Sequence, residues 1–192
     1  TPLELGSDIG GSIRLPSHMS GVVGHKPSYG IVPAHGQIPG PPGTLTLADL
    51  AVAGPMARSV EDLKLGLDIM AGPNRWEQPA WRLELPAARK KELKDYRIAA
   101  WLDDTRCPVE PEVKALLENA AQTLSNAGAR VDTDARPEFS LEKVAATFMA
   151  LLQSALAGGV SRDKIEEYAQ SSGNTSTDQT RRLFAMRHRE WL

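Results

Sequence analysis

The chain is 192 residues long, 41% hydrophobic and 24% charged, with a formal net charge of −2 at pH 7. That length can bury a domain-sized core, while the near-neutral balance excludes the broad basic face of a nucleic-acid binder and no apolar run approaches the roughly 18 residues that span a bilayer. Its single cysteine, Cys107, forms no internal disulfide and fits a reducing, cytoplasmic compartment; ahead of Pro108, with no neighbouring base in sequence, it reads as structural or incidental.

A short apolar segment, Leu3 to Leu5, leads into Gly6-Ser-Asp-Ile-Gly-Gly-Ser-Ile-Arg-Leu-Pro16. Gly10 and Gly11 allow a strand to turn so tightly that consecutive N–H groups face one point. Donors aimed where charge develops on a carbonyl oxygen form an oxyanion hole, and the candidates are the N–H groups of Ile9, Gly10 and Gly11, with Ser12 beside them. Ser12 is the candidate nucleophile. A bare Gly-Gly-Ser would be an ordinary loop, since these are common turn residues. A short helix is expected beyond Ser12, its start limited by Pro16. Val22 and Val23 suggest a buried strand, and the prolines and glycines from Pro27 to Gly43 mark a long irregular crossing. Within it, Gly36 to Thr44 reads either as a pocket wall or as a surface loop.

The run from Gly6 to Pro16 is followed by Gly21-Val-Val-Gly-His-Lys-Pro-Ser-Tyr-Gly30 and by Asp49-Leu-Ala-Val-Ala-Gly-Pro-Met-Ala-Arg-Ser-Val-Glu-Asp62. These three ordered blocks, spread over residues 1–72, resemble the second half of the amidase signature. The resemblance implies a serine hydrolase that cleaves carboxylic amides through a Ser-Ser-Lys triad, with Ser12 as nucleophile and no metal or organic cofactor. It places the lysine and the bridging serine upstream. Only eleven residues precede Ser12 here, so the chain is expected to be a piece of a longer amidase and inactive alone. Lys26 matches a Lys-Pro segment downstream of the nucleophile and is assigned a structural role. His18 stands where the family often has small residues and a cysteine, either bordering the pocket or simply packing. A Ser-His-Asp arrangement of Ser12, one of His18, His25, His35 or His188, and an aspartate such as Asp8 is the rival mechanism. Asp8 and Arg14 nevertheless flank the turn so closely that bracing suits them better than proton relay.

Further on, Ser59 suits a helix cap, with Glu61 and Asp62 in the first turn and Val60, Leu63, Leu67 and Met70 on one face; Gly72-Pro73 ends the helix. Residues 74–94 read as an exposed connection, in which Arg89-Lys90-Lys91 is solvated surface. Tyr96 to Leu102 reads as a buried strand. The helix that follows starts at Pro111, carries Val113, Leu116, Leu117, Ala120 and Leu124 on one face, and ends near Gly128; Ala129 to Val131 then begins another strand. Such an order argues for an α/β layer with a crossover. Asp103 and Asp104, adjacent in an extended chain, point apart and suit a solvated strand end better than a metal site. Helices are expected from Ser140 to a break at Gly158-Gly159, from Arg162 to Gln170, and from Asp178 to Leu192, where four arginines sit.

The fold class expected is α/β, a mixed β-sheet core flanked by helices and incomplete in this chain. Residues 1–72 form the second half of the signature core, 73–94 a linker and 95–192 an α/β and helical continuation of the same domain. The function expected is hydrolysis of a small-molecule amide through an acyl-enzyme on Ser12. Two alternatives stand beside it: a catalytically dead binding or assembly piece, and the amidase component of a tRNA-dependent amidotransferase, which has a similar signature. No nucleic-acid or membrane partner is expected, and a homo-oligomer stays open.

Overall fold

The computed structural model describes residues 1–36, 48–157 and 160–170. The larger part of the Gly36–Thr44 segment, the Gly158-Gly159 break, the Asp178–Leu192 helix and His188 lie outside the described residues. The chain divides into two units, one of Thr1–Glu84 with the chain from Met149 onward and the other of Leu85–Phe148.

In the first unit, β1 (Leu3–Asp8), β2 (Val23–Gly24) and β3 (Val52–Ala57) form an antiparallel sheet in the order β1-β3-β2. β3 is central and almost wholly buried, with Val52, Ala53, Gly54, Pro55 and Ala57 inside. Its Pro55, which has no N–H to give, still accepts at its carbonyl from the His25 N–H at 3.0 Å. Leu3 pairs with Ala57 and Asp8 with Val52, so β1 runs the full length of β3 before the chain turns into α1 (Arg14–Ser20). Pro16 lies in the first turn of α1, where the missing N–H leaves no intrahelical bond unmade.

The helix α2 (Val60–Met70) follows β3 and starts as the sequence dictates, the Ser59 hydroxyl accepting from the Asp62 N–H at 3.1 Å. The expected stripe faces inward at Leu63, Leu67 and Met70 but not at its first member. Val60 is 64% exposed, and the buried position is Gly66, where a Cβ would meet Pro55 Cβ at 3.0 Å and Leu3 Cδ1 at 3.1 Å. The helix is thus seated by backbone approach, with Leu63, Leu67 and Met70 half-buried beside the contact. Also in this unit, α5 (Arg162–Gln170) buries Ile165 among Val160, Tyr168 and Ala169.

In the second unit, β4 (Arg97–Ala99) pairs in parallel with β5 (Arg130–Asp132), and α3 (Pro111–Asn126) connects them. This is the expected crossover. Pro111 opens α3, and the N–H of Gly128 closes on the Ser125 carbonyl at 2.9 Å. β4 is shorter than Tyr96–Leu102 and only half-buried at Ile98, because β5 offers it just three partners. Leu116 stays 69% exposed and Val113 and Leu117 are exposed too, since so narrow a sheet cannot cover the whole apolar face of α3. The adjacent carboxylates part: Asp103 pairs with Arg136, and Asp104 accepts from the Arg106 N–H at 2.9 Å. The helix α4 (Leu141–Ala157), whose residues from Met149 onward belong to the first unit, is capped by the Ser140 hydroxyl accepting from the Lys143 N–H at 3.2 Å.

Candidate active site

Ser12 lies on the turn between β1 and α1, with an exposed side chain that makes no hydrogen bond among the described residues. The turn needs glycine at residue 11, whose φ of 125° lies in the region side chains avoid; a Cβ there would also meet Leu15 Cδ1 at 3.0 Å. Of the expected oxyanion donors, Ile9 is half-buried, Gly10 exposed and Gly11 buried. The Gly11 N–H is already engaged, donating to Asp8 Oδ1 at 2.7 Å.

Asp8, the last residue of β1, has a side chain with no exposed surface. Its Oδ2 accepts from the Ile13 N–H at 3.2 Å, the Arg14 N–H at 3.4 Å and Arg14 Nε at 3.0 Å, while Arg14 Nη2 reaches Oδ1 at 2.9 Å. An unpaired carboxylate so buried would be costly; here both oxygens are filled, and the bidentate guanidinium carries the compensating charge. The Arg14 bond, aided by the three backbone N–H groups and opposed by burial, holds the Asp8 carboxyl well below the ordinary carboxylate range. Asp8 in turn raises the Arg14 pKa.

Ile13, immediately after Ser12, is fully buried. Its side chain fits a floor to which each strand of the sheet contributes one glycine. A Cβ on Gly6 of β1 would meet Ile13 Cγ1 at 3.1 Å, one on Gly24 of β2 would meet Cγ2 at 3.0 Å, and one on Gly54 of β3 would meet Cδ1 at 3.1 Å. Gly6 and Gly54 are cross-strand partners, so two of the three sit side by side. Ser17 locks the same residue from above, its hydroxyl donating to the Ile13 carbonyl at 2.7 Å. Sequence reasoning missed this floor and the role of Ile13. The available signal was glycine inside segments otherwise fit for strands, which marks close approach.

The remaining candidates fall elsewhere. Lys26 Nζ donates to the Pro27 carbonyl at 2.8 Å, a local backbone contact. His18 is exposed in the last turn of α1. The ring of His35 stands edge-on to Trp76, with centroids 4.3 Å apart and planes at 84°. Among the described residues Asp8 hydrogen-bonds no histidine; its oxygens accept from Gly11, Ile13 and Arg14. That geometry commits Asp8 to bracing the turn and not to orienting any described histidine. In the second unit, a cleft of about 730 Å³ opens over β4 and β5, lined by Arg97 and Arg130 among others, and contains none of Ile9 to Ser12.

The Amidase family model matches residues 1–190. A glutamyl-tRNA(Gln) amidotransferase subunit from Thermosynechococcus vestitus is 37% identical over 139 residues, covering 71% of this chain and 28% of that relative. Human fatty-acid amide hydrolase 2 is 52% identical over a shorter stretch of 71 residues, 37% of this chain and 13% of its own length. Among solved structures, the corresponding glutamyl-tRNA(Gln) amidotransferase subunit from Thermotoga maritima matches with a TM-score of 0.68 at 22% identity, covering 100% of this chain and 44% of that one. A crystal structure described as amidase matches with a TM-score of 0.58 at 27% identity, covering 99% and 41%. The chain therefore spans 28% of the first curated relative's length. With the signature blocks, the antiparallel and parallel strand pairings with their helices, and a family match over nearly its whole length, the chain belongs to the amidase-signature family.

Proposed function

We propose that the protein carrying this chain is an amidase whose nucleophile is Ser12. The observation that carries the reading is the exposed Ser12 hydroxyl at a turn whose neighbours on both sides are tied to the sheet. Ser12 Oγ attacks the carbonyl carbon of a small amide and loses its proton to a base, which the family resemblance supplies as a lysine acting through a bridging serine. The C–N bond breaks, the proton goes to the leaving nitrogen, and ammonia or an amine departs. Water then attacks the acyl ester, releasing the acid and restoring Ser12. The Ile9 and Gly10 N–H groups hold the developing oxyanion; the Gly11 N–H would join them only by leaving Asp8. A cytoplasmic location belongs to the same reading and rests on the lone, exposed Cys107.

The test is ammonia or amine release from a panel of aryl and aliphatic amides by the complete protein that contains this chain. Turnover that vanishes in Ser12→Ala is expected, and turnover that persists in that variant overturns the assignment. A second reading, the amidase component of a tRNA-dependent amidotransferase, is favoured by the names of several relatives. Glutamine hydrolysis that rises on adding the other components of such an enzyme would select it.

A further inference from the structure

We propose that the cleft over β4 and β5 binds a small zwitterionic ligand, one with a carboxylate and an ammonium about 6 to 7 Å apart, as in a dipeptide or an ω-amino acid. The inference stands apart from the amidase reading, since the cleft of about 730 Å³ contains none of Ile9 to Ser12. Arg97 and Arg130 are register partners on the parallel strands, so their side chains leave the sheet about 4.8 Å apart on one face. Both are exposed, and neither guanidinium has a hydrogen bond or ion pair among the described residues, whereas Arg106 and Arg136 of the same unit pair with Glu142 and Asp103. Two like charges set side by side repel. A carboxylate between them removes the repulsion and matches the fork of each guanidinium.

Further along the strands the sign of the charge reverses. Asp132, opposite Ala99, and Asp134 line the same cleft. Asp132 Oδ1 accepts from the N–H groups of Asp134 and Ala135, both at 2.9 Å, and Arg136 Nη1 donates to the Thr133 and Ala135 carbonyls at 2.7 and 2.9 Å. Arg136 is itself held by Asp103, with its guanidinium carbon 5.9 Å from the centre of the Trp101 ring. The acidic end is therefore a fixed turn, and the Asp134 carboxylate has no hydrogen bond or ion pair among the described residues. Between the two ends lies Ala99, whose short side chain leaves the space open. Two strand residues at about 3.3 Å each separate the level of the arginines from that of Asp132, which sets the spacing of the ligand's charges. A phosphate or a dicarboxylate would answer the arginines but meet Asp132 and Asp134 with like charge, whereas an ammonium at that end is attracted to them. The opposed ends select a zwitterion over a simple anion.

The experiment is a ligand-observed NMR titration of the complete protein that contains this chain with 5-aminopentanoate, which has the required spacing and no amide bond for Ser12 to cleave. Pentanoate and pentylamine, each lacking one of the two charges, are titrated beside it. Saturable binding with a Kd on the order of 1 mM is expected, with pentanoate and pentylamine at least about threefold weaker. Arg97→Gln and Arg130→Gln are each expected to weaken 5-aminopentanoate about fivefold and to abolish its advantage over pentylamine. Asp134→Asn is expected to weaken it about threefold and to abolish its advantage over pentanoate. Leu116→Ala, in the same unit but outside the cleft, should bind as the parent does. Glycylglycine, titrated in Ser12→Ala so that it is not consumed, separates the two sources: tighter binding than 5-aminopentanoate assigns the site to short peptides, and weaker binding to ω-amino acids. No saturable binding in the parent overturns the inference, as does pentanoate binding as tightly as 5-aminopentanoate. Affinity within about twofold of the parent's in the arginine variants overturns it equally. Melting of each variant is followed, and should one arginine variant fail to fold, the other decides. Turnover at Ser12 is not the readout, so the outcome is independent of the amidase reading.

Discussion

The two strand-bearing regions of the chain are built on opposite principles. Around Ser12, the sheet of β1, β3 and β2 holds Ile13, Asp8, Pro27 and Pro55 with almost no exposed surface. Around β4 and β5, Ala129 is the buried residue among those described, and α3 buries none of its own. The first region fixes its backbone by close approach, glycine against side chain. The second relies on local helix signals, a proline at the start and a glycine at the end. The lesson is that geometry is most tightly determined around Ser12, the proposed nucleophile, and that apolar area alone does not distinguish the two regions.

Replacing Ile13 tests that contrast most severely. Ile13→Ala empties the glycine floor and should cost about 4 kcal/mol in denaturant unfolding of the chain. A loss below about 1 kcal/mol would mean that the floor is not a packed core. Adding volume is expected to cost less: Gly6→Ala meets Ile13 Cγ1 at 3.1 Å and the flexible end of Met56, Cε, at 2.8 Å, for about 2 kcal/mol. Acid reaches the same region by another route. Because the folded Asp8 carboxyl titrates below its ordinary value, the stability it contributes is present above about pH 4 and is lost as pH falls below that value. Arg14→Gln should let the folded Asp8 pKa rise toward its ordinary value, so that this loss is smaller and complete at a higher pH, visible as a shallower acid limb in melting temperature against pH.

Smaller effects are expected where the structure is local. Ser59→Ala removes the acceptor for the Asp62 N–H and should cost about 1 kcal/mol. Leu116→Ala on the chain should change stability by less than about 0.5 kcal/mol, because Leu116 is 69% exposed. A cost near that of Ile13→Ala would erase the difference between the two regions.

These contrasts follow the line between what was legible in sequence and what was not. The cap at Ser59, the opening of α3 at Pro111 and the bounds of α5 were readable because their causes lie within one turn of the residues that show them. The Ser12 turn was readable from the glycines before it and from the signature blocks around it, and the bracing by Asp8 and Arg14 from their nearness in sequence. The glycine floor was not. Gly6, Gly24 and Gly54 come together only through pairing across the sheet, and a glycine in a strand carries no mark of which side chain will cover it. The centre of a helix contact was equally hidden: Leu63, Leu67 and Met70 of the α2 stripe are half-buried as expected, but Val60 faces outward and the closest approach falls on Gly66. The shortness of β4 depended on what β5 could offer, a fact settled some thirty residues later in the chain.

The strand order also dictates when the Ser12 turn takes shape. β1 pairs with β3 and not with its nearer neighbour β2, so Asp8 meets Val52 only after a long excursion of the chain. Closing that span is an entropic barrier met before any contact rewards it. During synthesis Ser12 emerges well before the strand that carries Gly54, and for that interval it sits on a turn without a floor. The fixed geometry of the Ser12 turn is therefore among the last features to mature, and folding of this region is expected to be limited by docking of β3, not by formation of the turn itself.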